Sequence, residues 1–281
     1  MNENIIGIDI GTGSVKVATI HGTFAFPSII ARGKNMEIES KEIVLVGEQA
    51  VKQEQVKSMV LKTPIYRGAP TSIEDYLELI RHALDKAMES QDALYKGAQR
   101  YSDHTIVAGI PYSAKRYSQK IKDAVNDTFA PKFFGLMFQA KATLDNEGLD
   151  DGIICHIGQG TTEIMVVSHG NIAHAQTILH GVGDITNVIT TSKTDYLNFE
   201  IFSKNSPELI EQRRILAAHI SDSLEKVVID YPQLQIICAG GGSLVPKLIQ
   251  SIKNDTITHI RIAKDPVFSN ALGMLQKASK C

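Results

Sequence analysis

The sequence predicts an α/β chain of two duplicated lobes that face one another across a cleft. Three observations predict it. An apolar run, a turn of Gly, Thr and Ser, and a returning apolar run occupy residues 5–20, and the same unit recurs at 152–168. Self-similarity of this kind marks an internal repeat. Each unit is followed by short apolar runs alternating with helical patterns, as expected of mixed α/β layers.

The elements follow in order. Ile5 to Ile10 and Ser14 to Ile20 read as a hairpin closed by Gly11-Thr12-Gly13, with a third strand from Phe24 to Ile30. Ile43 to Val46 is a short strand and Glu48 to Val60 a small helix. Ser72 caps a helix reaching about Glu89, with Asp75 at the capping-box position and Tyr76, Leu79, Ile80 and Leu84 at helical spacing. His104 to Ile110 is a buried strand stopped by Pro111; Ser113 to Asp127 is helix, Phe133 to Phe138 strand, and Gln139 to about Asn146 helix. Ile153 to Ile157, the turn Gly158-Gln159-Gly160-Thr161-Thr162 and Ile164 to Ser168 form the second hairpin, with a third strand from Asn171 to Ile178. A helix from about Gly183, a long helix from Pro207 to Val228 and a strand from Leu234 to Ala239 come next. Gly240-Gly241-Gly242-Ser243 then leads into a helix from Leu244 to Ile252, before strand Thr258 to Ala263 and a closing helix after Pro266.

Composition excludes several classes. At 281 residues the chain has room for two compact lobes. A net charge of −2 and a pI near 6.5 give no footprint for direct binding to nucleic acid or to an anionic membrane. No run approaches the roughly 20 apolar residues of a transmembrane helix. The opening Met1-Asn2-Glu3-Asn4 has no basic leader, so no signal peptide is expected. Cys155, Cys238 and Cys281 are scattered without zinc spacing, and the first two lie in apolar runs. A reducing cytoplasm is the expected location.

The glycine turns carry the chemistry. Phosphate oxygens need close backbone N–H groups, which glycine permits. Gly11, Thr12, Gly13 and Ser14 supply such groups, and Lys16 shares a strand face with Ser14, pointing toward the phosphates. Asp9, at the strand end, suits hydrated Mg²⁺. Gly158, Gln159, Gly160, Thr161 and Thr162 form a second clamp. Gly240, Gly241, Gly242 and Ser243, at a strand-to-helix junction, suit an adenosine or phosphate-proximal contact. No Lys-Ser/Thr pair follows them, so this is not a Walker A loop. A strand rather than a helix follows Gly13, so the first turn is not a dinucleotide fingerprint.

These motifs, in this order, resemble the actin, sugar-kinase and heat-shock chaperone ATPase superfamily, whose lobes are ribonuclease-H-like. Ile6 to Ser14 resembles its phosphate-one motif, Gly158 to Ile164 its phosphate-two motif in the form of the MreB-type bacterial actins, and Ile236 to Ser243 its adenosine motif. Gly181-Val182-Gly183-Asp184 and Phe268 to Gly273 are similar to segments of ParM-type and archaeal actins. The resemblance implies lobe I over 1–148, with a small insertion at about 32–62, and lobe II over 149–265, with a reduced insertion at about 191–231. A C-terminal helix at 266–281 would pack back toward lobe I. It implies ATP/ADP and Mg²⁺ as ligands, Gly183 and Asp184 beside the nucleotide, and Gln139 as the residue that orients attacking water. Glu163 would hold water or Mg²⁺. An exposed helix-start glutamine and a solvated strand glutamate are the plain alternatives at those two positions.

Two positions depart from the pattern. His156 stands where the superfamily carries the Asp that helps hold hydrated Mg²⁺, and Gln159 where it carries Gly. An imidazole cannot supply the carboxylate charge; contact with a phosphate, or a strand-end histidine with its own partners, are the two readings of His156. The resemblance implies a slow ATPase that assembles head to tail into filaments, serving cell organisation or DNA and plasmid segregation, with a DNA-bound or membrane adaptor as partner. The alternative is a non-polymerising scaffold or chaperone-like ATPase, similar to the pilus protein PilM or the microcompartment protein EutJ; a small-molecule kinase comes third, for want of a catalytic Asp.

Overall fold

The computed structural model describes residues 4–34, 42–53, 59–91, 101–187, 202, 206–253, 257 and 259–281. The first half contains β1 (Ile5–Ile10), β2 (Ser14–Thr19), β3 (Gly22–Pro27), β4 (Ile30–Lys34), β5 (Glu42–Val46), α1 (Glu48–Val51), β6 (Met59–Lys62), β7 (Ile65–Tyr66), β8 (Ala69–Pro70), α2 (Ile73–Gln91), β9 (Thr105–Ile110), α3 (Ser118–Phe129), β10 (Phe133–Phe138) and α4 (Gln139–Asn146). The second contains β11 (Gly152–Ile157), β12 (Thr162–Ser168), β13 (Asn171–Ile178), α5 (Val182–Thr186), α6 (Pro207–Asp230), β14 (Ile236–Ala239), α7 (Leu248–Ile252), β15 (Ile260–Ile262) and α8 (Ser269–Ala278).

The duplication is explicit in the sheets. One has the order β3-β2-β1-β9-β10 and the other β13-β12-β11-β14-β15. In both, the first three strands run antiparallel and the last three parallel, so β1 and β11 occupy the same central place. Central strands covered on both faces are continuously apolar, and every residue of β1, β9 and β11 is buried. This is the expected α/β fold of two lobes.

Helices α4 and α8 form the layer where the halves meet. Ala140 and Leu144 of α4 pack on Ile154, Met165 and Ile237 of the second sheet. Ala142 of α4 and Met274 of α8 pack with Ile5 and Val107 of the first. Gly7 permits the close seat of α8: a Cβ there would collide with the Ala271 carbonyl and the Leu275 nitrogen. On the far face of the first sheet, Tyr76, Leu79, Ile80, Ala83 and Leu84 present the apolar stripe of α2, which Ser72 caps by accepting from the Asp75 N–H at 3.2 Å.

Three expectations needed correction. The helix expected from Glu48 to Val60 is only the four residues of α1, and Met59–Lys62 is a strand paired with β4; residues 54–58 lie outside the described set. Met-Val-Leu-Lys alternates in burial and pairs along β4, and that pairing outweighs a helical reading of the segment. The helix expected from Leu244 to Ile252 is interrupted: Gly241–Leu244 is a 3₁₀ turn and α7 starts at Leu248. Val245 is extended ahead of Pro246, and Lys247 has φ 65°, so the backbone cannot run through as one helix. The helix expected from Ser113 begins as a 3₁₀ turn, Tyr112–Tyr117. Of the reduced insertion expected at about 191–231, residues 191–201 and 203–205 lie outside the described set. Strands β4 and β6, which join the expected strand β5 in a small sheet, and the β7–β8 hairpin went unread in the sequence.

Candidate functional site

A cavity of about 200 Å³ lies between the lobes, lined by Asp9 to Ser14, Lys16, Gly68, Gln139, His156, Gly158 to Thr161, Val182, Phe202, Gly240 to Gly242 and Val267. All three glycine runs therefore reach one space. The first two meet tip to tip. A Cβ on Gly160 would lie 2.7 Å from the Thr12 hydroxyl, and one on Gly13 would overlap the Gln159 side chain. Gln159 thus fills the room that Gly13 leaves.

Asp9 is heavily engaged. It is 1% exposed, and its carboxylate accepts from Gln139 Nε2 at 2.6 Å and Asn270 Nδ2 at 3.4 Å while pairing with Lys16 Nζ at 3.3 Å. These donors come from α4, α8 and β2. Asn270 also donates to His156 Nε2 at 2.9 Å. An amide nitrogen can only donate, so Nε2 is the acceptor and the ring proton of the neutral imidazole sits on Nδ1. Burial drives His156 down to about 4, with Asp9 pulling the other way and Lys16 pushing further down. The imidazole is therefore neutral near pH 7 and adds no charge to the cavity.

Glu163 and Gln139 are not the exposed residues of the plain alternatives; they are 1% and 6% exposed. Glu163 reaches from β12 into the first half. It accepts from the Tyr112 N–H and, at 3.3 Å, from the Ala140 N–H at the start of α4. Burial pushes its carboxyl up to about 7 against these two hydrogen bonds, and Asp9 adds to the rise. It braces the helix that carries Gln139.

Thr162, Glu163, Gly183, Asp184 and Ser243 stand behind the cavity wall rather than on it. Thr162 donates to the His180 carbonyl at 3.0 Å and Ser243 to the Gly240 carbonyl at 2.8 Å. Asp184 accepts both ends of the Arg67 guanidinium at 2.7 Å and the Gly181 N–H at 2.9 Å. Burial pushes the Asp184 carboxyl up, but the Arg67 and Gly181 hydrogen bonds and the Arg67 charge hold it below its ordinary range.

Four contributors went unread. Ser28, fully buried, donates its hydroxyl to the Gly11 carbonyl at 2.7 Å and its N–H to the Gly13 carbonyl at 3.0 Å, fixing the first turn from behind. Arg67 and Asn270 bridge the halves. Tyr76 is buried close enough to Asp9 for that charge, after burial itself, to raise the phenol, and its hydroxyl has no hydrogen-bond partner among the described residues. Only Asn270 carried a signal, lying in the segment similar to ParM-type actins.

The donor set fits a polyphosphate. Glycine backbone from two turns and one lysine line the cavity, and the third run, Gly240 to Gly242, adds backbone beside Ile157 and the second turn. Among the described residues no group of three or more His, Cys, Asp or Glu could hold a metal, so a cation here would have to keep most of its water, as Mg²⁺ does. A family model described as MreB/Mbl protein matches residues 3–229, a span that holds both glycine hairpins.

Proposed function

The chain belongs to the MreB/Mbl family of actin-like, nucleotide-binding cytoskeletal proteins, and from that premise we propose that it binds Mg·ATP in this cleft, hydrolyses it slowly and assembles head to tail into filaments. The observation that carries the reading is the convergence of two glycine turns, Lys16, Asp9 and Gln139 on one cavity.

Gly11 to Ser14 and Gly158 to Thr161 would hold the phosphates, with Lys16 balancing their charge. Asp9 would hold hydrated Mg²⁺, which neutralises phosphate charge when bound. Gln139 lines the cavity and would orient water there through its carbonyl oxygen, its amide nitrogen being anchored on Asp9 at 2.6 Å. An amide positions water without being a strong base, which fits slow turnover. Bridging both lobes, the nucleotide would favour the closed form and with it subunit contact. A head-to-tail contact gives an open filament, and cell organisation or DNA segregation is the role such a filament would serve. No helix among the described residues is long and apolar enough to cross a membrane; a DNA-bound or membrane adaptor is the partner such a filament would use.

Sedimentation with Mg·ATP and negative-stain imaging test assembly; pellets without filaments across salt and protein concentrations refute it. Phosphate release tests catalysis: Gln139→Ala should lower the rate about 100-fold, in the range of a lost positioning group. An unchanged rate removes Gln139 from that role.

One observation favours the scaffold reading. His156 is neutral and held by Asn270, so among the described residues the cavity has a single carboxylate for a cation. Nucleotide binding without turnover, and without filaments, is the outcome that would select it.

A further inference from the structure

The backbone of the second glycine turn has a regular pattern of partners. The Gly158 carbonyl accepts from the Val182 N–H at 3.1 Å and the Gln159 carbonyl from the Gly183 N–H at 2.9 Å. The third carbonyl, Gly160, accepts from Arg67 Nη1 at 3.0 Å. Two of these donors open α5, and the third is clamped to Asp184 of α5 by two bonds of 2.7 Å. All three carbonyls are thus drawn to the α5 side.

A trans peptide is planar, so its N–H points opposite to its C=O. Drawing those carbonyls toward α5 turns the N–H groups of Gln159, Gly160 and Thr161 the other way, and these residues line the cavity. Among the described residues none of these three N–H groups has a protein acceptor. Helix α5 supplies donors for two of the three peptides; the last is supplied from the other lobe. Arg67 sits at the tip of the β7–β8 hairpin with φ 49°, a conformation uncommon for a residue with a side chain. Its neighbour Gly68 donates to the Thr12 hydroxyl at 3.3 Å, so the same tip touches both glycine turns.

We propose that Arg67 is a positioning residue which, anchored by Asp184, holds the Gly160–Thr161 peptide with its N–H toward the phosphate end of the cleft, so that the second phosphate clamp is complete only when the β7–β8 hairpin is docked. The inference rests on the nucleotide reading above and assigns Asp184 to anchoring rather than to ligand contact. It also makes lobe closure and phosphate affinity two readings of one contact. Lysine cannot replace the arginine, because one ammonium cannot fork onto a carboxylate and reach a carbonyl in the same geometry.

The test compares binding of Mg·ATP with binding of adenosine, by titration calorimetry, in the full chain and in Arg67→Ala, Arg67→Lys and Asp184→Asn. Loss of an oriented charge-assisted donor should weaken Mg·ATP by about tenfold or more in each variant and leave adenosine within about twofold. A residue that merely holds the fold together would weaken both ligands alike. If Arg67→Ala loses its circular-dichroism signature, Arg67→Lys and Asp184→Asn carry the test. Variants that keep the wild-type ratio of Mg·ATP to adenosine affinity, or lose both ligands in proportion, overturn the assignment while leaving the nucleotide reading intact. A wild-type chain that binds neither ligand overturns the nucleotide reading itself, and this inference with it.

Discussion

Glu163 and His156 are directly paired across β11 and β12, and their titrations should cancel. Glu163 is raised from 4.5 to about 7 by burial, so between those values the folded chain holds a proton that the unfolded chain has released. Stability then falls as pH rises through that window. His156 is lowered from 6.5 to about 4, so in its window the unfolded chain takes up a proton that the folded chain refuses. Stability there rises with pH. At about 1.4 kcal/mol per tenfold change in proton affinity, each group contributes about 3 kcal/mol between pH 4.5 and 6.5, with opposite sign. Both are buried, so solvent screening does not dilute either effect. Removing one should expose the other. Relative to wild type, Glu163→Gln should gain about 3 kcal/mol on going from pH 4.5 to 6.5, and His156→Gln should lose about as much. Urea midpoints at pH 4.5, 5.5 and 6.5, taken with the slope of each transition, measure this. Subtracting the wild-type profile cancels every other titrating group. If both variants run parallel to wild type, the two groups are not buried as neutral species and the reasoning fails.

Other expectations concern packing and the first turn. Gly7→Ala would drive a methyl into the α8 backbone and should cost about 1–3 kcal/mol, read as a lower calorimetric midpoint; an unchanged midpoint would mean that α8 can shift freely. Ser28→Ala removes a buried donor from the Gly11 carbonyl and should cost about 1 kcal/mol of stability. It should also weaken Mg·ATP more than adenosine, and equal weakening in calorimetry would make Ser28 structural only. Asp9→Asn leaves Lys16 and the amides of Gln139 and Asn270 without their shared charge, so the Mg²⁺ dependence of ATP binding should largely vanish; a retained dependence would place the cation elsewhere.

The sequence made the repeat legible because glycine turns between apolar runs are a local signal, and β1, β2, β11 and β12 emerged within a residue or two of their expected bounds. The cavity-lining glycines, Asp9 and Lys16 were legible for the same reason, whereas Gln139 was singled out only through the family resemblance. Contacts made only once the chain has folded were not. Nothing around Arg67 in Ile65-Tyr66-Arg67-Gly68 distinguishes it from a surface hairpin arginine until Asp184 comes into reach. Ser28 likewise looks like an ordinary serine after a proline. Asp184 illustrates the converse: its motif was legible, but its partner Arg67 was not. The break before α7 was written in Pro246, inside the stretch read as a single helix.

The grip of Asn270 on Asp9 and His156 has a consequence in time. Asp9 and Asn270 are 261 residues apart. At about 5–20 residues per second, the ribosome produces one roughly 10–50 s before the other. Throughout that interval the first carboxylate of the cleft lacks one of its three partners, and α8 is not there to cover β1. The cleft therefore matures late in synthesis, and a nascent chain halted before residue 270 should retain no nucleotide while its two hairpins are already made.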